Sequence, residues 1–181
     1  MPTPFFEPGG ARLSSLVGQS VNEVLCHDVR GRLRQLVSVA AGVAVVCGAA
    51  LPLNAVAAVD YAYDERGNRL VESRVSGGVS SSRQFGHDGS DRLTGELSAD
   101  GTATTWELSA DGARTFETRY SSFSGSLAPP FGGGVITSRQ QYAYDSQGAL
   151  SRIDDAVGGG TVASFGVDER HGNGGRQTAD G

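Results

Sequence analysis

Residues 61–70 read YAYDERGNRL, and the same opening returns at residues 142–150 as YAYDSQGAL. Tyr61 and Tyr63 stand two apart, so on a strand both rings face one side, where aromatic pairs stabilise neighbouring strands. Asp64 opens a turn, because its carboxylate can accept backbone N–H groups two residues on, while Gly67 and Asn68 tolerate the positive φ that reverses a chain. Arg69 to Val75 then returns as the partner strand. The stretch predicts a β-hairpin.

Weaker copies begin at Phe85 (FGHDGSDRLT), Trp106 (WELSADGART) and Phe165 (FGVDERHGN). The starts are separated by 85 − 61 = 24, 106 − 85 = 21, 142 − 106 = 36 and 165 − 142 = 23 residues. Recurrence on this scale is the mark of a repeat architecture. The long interval holds Pro129-Pro130 and Gly132 to Gly134 and predicts a Gly/Pro/Ser loop over 121–141. The motif positions are Tyr61, Tyr63, Asp64 and Gly67; Phe85 and Asp88; Trp106 and Gly112; Tyr142, Tyr144, Asp145 and Gly148; Phe165 and Asp168. Asp91 stands in the glycine's place in the second copy and Ser109 in the aspartate's place in the third, which predicts less regular turns there. His87, in place of the inner aromatic, has no second histidine at ligand spacing and reads as a packed aromatic substitute.

The tandem Tyr-Ala-Tyr-Asp-x-x-Gly, followed by Asn68-Arg69-Leu70 or Ala149-Leu150, resembles the YD repeat of the Rhs family over residues 61–173. The resemblance implies an array of β-hairpins that spirals into a shell, in large bacterial surface and secreted proteins that often enclose a C-terminal toxin, with repeats linked to carbohydrate binding. Such shells use many more repeats than the five copies here, so an open, curved sheet is expected, a fragment or short member of such an assembly.

Composition sets the other limits. The chain has 181 residues with 27 glycines, about twice the usual share, which leaves little for a conventional core. A formal net charge of −5 with no cationic stripe argues against nucleic acid as a partner. All 15 positive charges are arginine, a feature that source-genome coding bias explains.

Toward the front, Arg30, Arg32 and Arg34 precede the uncharged run LVSVAAGVAVVCGAALPL at 36–53, followed by Ala55-Val56-Ala57. This is the order of a secretory signal peptide, with Ala55 and Ala57 as the small residues before a cleavage at Ala58. The run is close to the length of a spanning helix, so a membrane anchor over 36–53 is the alternative. The long stretch before Arg30 predicts a misassigned start, with Val29 as an alternative initiator. Ser20 to Arg34 is spaced for a short capped helix. Cys26 and Cys47 would leave with the leader, so the processed product is expected to hold no disulfide.

Three regions follow: a leader and signal at 1–57, degenerate repeats at 58–173, and a disordered tail at 174–181. Calcium loops, phosphate loops and a serine nucleophile all fail on spacing, so no enzyme activity, cofactor or metal is expected. The function expected is a non-catalytic, secreted or cell-surface scaffold associated with toxin delivery or surface interaction. Its partners would be further YD repeats or a toxin domain of a larger polypeptide, and membrane only through the leader. The alternative is a carbohydrate- or protein-binding module in which Trp106 and the tyrosines stack on a glycan.

Overall fold

The computed structural model describes residues 11–14, 21–40, 42–50, 55–166 and 175–177. The described residues form β-strands and turns, without a helix. The chain divides into two compact units, Met1–Gln84 and Phe85–Gly181.

The first unit is an open antiparallel sheet in chain order: β1 (Ala11–Ser14), β2 (Val21–His27), β3 (Leu33–Ala40), β4 (Ala57–Tyr63), β5 (Arg69–Ser76) and most of β6 (Val79–His87). Alternation decides its buried face. Along β3 the side chains of Gln35, Val37 and Val39 are buried at every second position. Val37 and Val39 join Ala55, Ala58 and Val75 in the core, with Val45 packed against them. Branched valines fit this pleated surface because their stiff χ1 costs little there.

In the second unit the strands are the end of β6, then β7 (Leu93–Ser98), β8 (Ala103–Leu108), β9 (Arg114–Phe123), β10 (Gly134–Tyr144), β11 (Leu150–Asp155), β12 (Thr161–Gly166) and β13 (Gly175–Gln177). From β7 on, successive strands pair antiparallel. Ala103, Tyr120 and Phe123 form its buried cluster, with Leu97 and Leu127 against it.

Six connections share one turn. The N–H of residue i donates to the carbonyl of i+4, and that of i+3 donates back to the carbonyl of i, with i at Asp28, Asp64, Asp88, Ser98, Ser109 and Asp145 and N···O distances of 2.8–3.2 Å. Residue i+3 has positive φ each time: Gly31, Gly67, Asp91, Gly101, Gly112 and Gly148. A type I turn closed by a left-handed residue that forms a one-residue bulge has this pattern, and the pairing shifts register beside the turns at His27, Tyr63, Leu108 and Tyr144. The turns at Asp91 and Ser109 are as regular as the rest, contrary to expectation. Asp91 takes φ 64°, a conformation a short polar side chain tolerates. Ser109 replaces the aspartate's bonds by donating its hydroxyl to the carbonyl of Ala113 at 3.0 Å, and its carboxylate partner is Asp111, two positions on.

The front of the chain departs from the sequence reading. Val21–His27, expected in a short helix, is β2, and Leu36 to Ala40, expected in the signal helix, belongs to β3, which pairs with β2 throughout and with β4 as far as Ser38. An uncharged valine-rich run suits a doubly paired strand as well as an apolar helix, and hydropathy does not separate the two. Asp28 through Arg32 makes a hairpin turn, which takes in Arg30 and Arg32, two of the three arginines assigned to the signal's charged region, and Arg34 lies on β3. No helix of the described residues is long and apolar enough to cross a membrane. Ala55 is 4% exposed in the core and Ala57 begins β4. Cys26 and Cys47, expected to leave with the leader and to contribute no disulfide, are bonded to each other.

Two further differences concern connections. β9 continues to Phe123 and β10 starts at Gly134, so the link between them is 124–133, not the whole of 121–141. It is seated by Leu127: a Cβ on Gly86 would collide with it, one on Gly95 would come within 2.9 Å of its carbonyl oxygen, and Thr94 donates its hydroxyl to that oxygen at 2.9 Å. In the tail expected to be disordered, Gly175–Gln177 pairs with β12. The remaining tail residues and the motif residue Asp168 lie outside the described residues.

Candidate functional site

Trp106 on β8 lies directly opposite Glu117 on β9. The strand register therefore fixes which carboxylate meets the indole. Glu117 is 7% exposed. It accepts bonds from Trp106 Nε1 at 3.2 Å, Arg114 Nη1 at 2.8 Å, Arg119 Nε at 2.9 Å and the Tyr142 hydroxyl at 3.4 Å. The Arg114 guanidinium also lies over the Trp106 ring at 5.3 Å and the Tyr142 ring at 5.9 Å. One buried carboxylate thus gathers two arginines, an indole and a phenol from three strands.

Its electrostatics follow from these partners. Burial pushes the Glu117 carboxyl up, but hydrogen bonds from Arg119 and Trp106 and the charges of Arg119 and Arg114 outweigh it and hold the group below its ordinary value. The Tyr142 phenol is raised, by burial first and then by the Glu117 charge. An open groove of about 680 Å³ adjoins the cluster, lined by Trp106, Arg114 and Arg119 together with Glu96, Thr102 and Thr104. An aromatic face beside fixed donors and acceptors suits a flat ligand rich in hydroxyls.

The first unit repeats the arrangement of side chains. Tyr61 is opposite Glu72, which is 4% exposed and bonded to Arg69 at 2.9 Å and Arg74 at 2.6 Å, and Arg69 lies 5.7 Å over the Tyr61 ring. The motif residues thus fall into two groups. Asp64, Gly67, Asp88, Gly112, Asp145 and Gly148 make turns. Tyr61, Tyr63, Phe85, Trp106, Tyr142, Tyr144 and Phe165 lie on strands. The inner tyrosines have a role of their own: Tyr63 donates its hydroxyl to the carbonyl of Leu33, and Tyr144 to that of Arg114, both at 2.8 Å, which ties each hairpin to the one before.

Glu117, Arg114 and Arg119 are not among the residues the motif reading singled out. Their signal is present in the sequence: RLVESR at 69–74 and RTFETR at 114–119 repeat Arg-x-x-Glu-x-Arg, with 117 − 72 = 45 residues between the glutamates. The turns at Asp28 and Ser98 were also legible, as HDVRGRL at 27–33 and the duplicated ELSADG at 96–101 and 107–112. Among the described residues no group of three His, Cys, Asp or Glu side chains is placed to hold a metal ion. No family model matches the chain, and no curated protein matches it.

Proposed function

We propose that this chain is a non-catalytic, extracytoplasmic repeat scaffold of the YD type, a part of a larger β-assembly like those of the Rhs family. The observation that carries this reading is that the motif residues spend their chemistry on the sheet itself. The aspartates close turns, the inner tyrosines tie hairpin to hairpin, and the glutamates are saturated by arginines. The Cys26–Cys47 disulfide supports a place outside the cytoplasm, since disulfides persist in oxidising compartments. On this reading the partners are further repeats and a toxin or surface domain of the same polypeptide, and the chain needs no cofactor. Reading the coding sequence on either side tests it. Further Tyr-x-Tyr-Asp-x-x-Gly units in frame are expected, and a frame that holds none overturns the proposal.

A second reading rests on the groove beside Trp106: a glycan-binding surface in which the indole stacks on a sugar ring. Glycan-array binding that is lost in Trp106→Ala and kept in Trp106→Phe supports it. Absence of any array signal from the folded chain removes it.

A further inference from the structure

Two spans of the chain are built alike and fastened differently. The turn at Asp28 leads through β3, a connection and β4 to the turn at Asp64, and the turn at Ser109 leads through β9, a connection and β10 to the turn at Asp145, with 64 − 28 = 145 − 109 = 36 positions between the turns of each span and the second span displaced by 109 − 28 = 145 − 64 = 81. In the second span the connection 124–133 is held by Leu127 over Gly86 and Gly95 and by Thr94. In the first, residues 42–50 cover the β2–β3 face, and their fastening is covalent.

Cys26 and Gln35 stand directly opposite each other on β2 and β3. Cys26, 2% exposed, is bonded to Cys47, and Gln35, 3% exposed, accepts from the N–H of Gly48 at 3.0 Å and donates to the carbonyl of Ala49 at 2.7 Å. Three consecutive residues of the segment are thus held by two neighbouring side chains. The segment's own backbone bonds are local, from Val43 to Ala40 and from Ala49 to Val46, both 3.2 Å, and it enters no strand pairing. Between the segment and the sheet lies a space of about 210 Å³ lined by Gln35, Val37, Val45 and alanines, so the interface is loosely filled. A segment with few apolar contacts and no ladder bonds sits at the low end of local stability, and its closure depends on its fastenings.

We propose that the Cys26–Cys47 disulfide is a redox-operated latch, which holds residues 42–50 as a closed lid over Val37 and Gln35 in an oxidising compartment and releases them when a dithiol reductant acts. Cys26 is buried and Cys47 is half-buried, so the reductant's thiolate attacks Sγ of Cys47. The sulfur–sulfur bond breaks, Cys26 leaves as a thiolate and takes up a proton, and a mixed disulfide remains on Cys47. The reductant's second thiol then attacks its own sulfur in that bond and frees Cys47. The protein gains two electrons and two protons, and the dithiol is oxidised to its cyclic disulfide. Without the bond, the two hydrogen bonds of Gln35 and the packing of Val45 are left to hold the lid.

The test uses the full chain with and without a dithiol reductant, followed by alkylation and by elastase, which cuts after small apolar residues such as those of GVAVVCGAA at 42–50. Expected are no alkylated thiol before reduction, two after it, and cleavage within 42–50 accelerated about tenfold or more, since cutting tracks the open population. The connection 124–133, fastened without cysteine, keeps its rate. Cys26→Ser and Cys47→Ser should cut like the reduced wild type with no reductant present. Thiols that alkylate without reduction overturn the latch, as does an unchanged cutting rate at 42–50. Reduction that exposes residues 57–84 as fast as 42–50 also overturns it, because the bond would then hold the unit's fold and not a lid.

Discussion

Arg92 donates Nη1 to the carbonyl oxygen of Ser109 at 2.8 Å while its Nε holds the carboxylate of Asp88 at 2.7 Å. One guanidinium joins its own turn to the turn two strands further along the sheet. Arg32 does the same in the first unit, with Asp28 at 2.7 Å and the carbonyl of Asp64 at 3.0 Å. Lysine keeps the charge but lacks the planar fork that serves both acceptors. Arg92→Lys is therefore expected to lower stability by about 1 kcal/mol, at the low end for charge-assisted bonds because the side chain is partly solvated. Denaturant midpoints measure this. In an Asp88→Asn background the same change should cost clearly less, and equal costs in both backgrounds would show that the two bonds do not act together.

The residue that closes each turn is held to the left-handed region, with φ 93° at Gly112 and 64° at Asp91. A branched side chain is strained there, so Gly112→Val should cost about 1–2 kcal/mol. Asp91→Asn, which exchanges one short polar side chain for another, should stay within about 0.5 kcal/mol. Thermal unfolding of the two variants separates the cases, and a tolerated Gly112→Val contradicts the turn assignment.

Glu117 is the shared acceptor of Arg114, Arg119 and Trp106. Glu117→Gln keeps the shape and removes the charge, leaving two guanidinium groups that are 43% and 63% exposed. Because water can solvate those arginines, the expected cost is about 2 kcal/mol, below the range for breaking a fully buried pair. The indole loses its anionic neighbour, so Trp106 emission is expected to shift as well. An unchanged spectrum would place the indole away from the carboxylate.

Acid should unfold this protein through its carboxylates. Loss of solvation pushes the carboxyls of Asp28, Asp64 and Asp88 up, but hydrogen bonds from turn backbone and from Arg32, Asn68 and Arg92 outweigh it and hold all three below their ordinary value of 3.8. Glu117 is likewise held below 4.5. A carboxyl lowered in the folded state stabilises fully above its unfolded value and loses that contribution as pH falls through the folded value. Stability measured by urea midpoint should therefore be flat through this effect above about pH 5 and fall steadily below about pH 4. A midpoint that rises toward pH 2 would reverse the sign of the argument.

Local chemistry in the sequence determined the hairpin turns, because a carboxylate, two central residues and a glycine specify a reversal within five positions, as at Asp64 to Asn68. The mostly β character was legible for the same reason. What lay beyond local chemistry was decided by pairing across the chain. Leu36 to Ala40 became a strand because β2 and β4 were available on either side of it, which no window of hydropathy contains. Tyr63 and Tyr144 carry hydroxyls for a carbonyl 30 residues earlier, and Glu117 meets Trp106 because the two are cross-strand neighbours. Cys26 meets Cys47 only once β2 lies beside β3 and the chain folds back over both. Turns are short-range and can be read from their residues; register and burial depend on partners distant in sequence, so the tertiary structure alone set them.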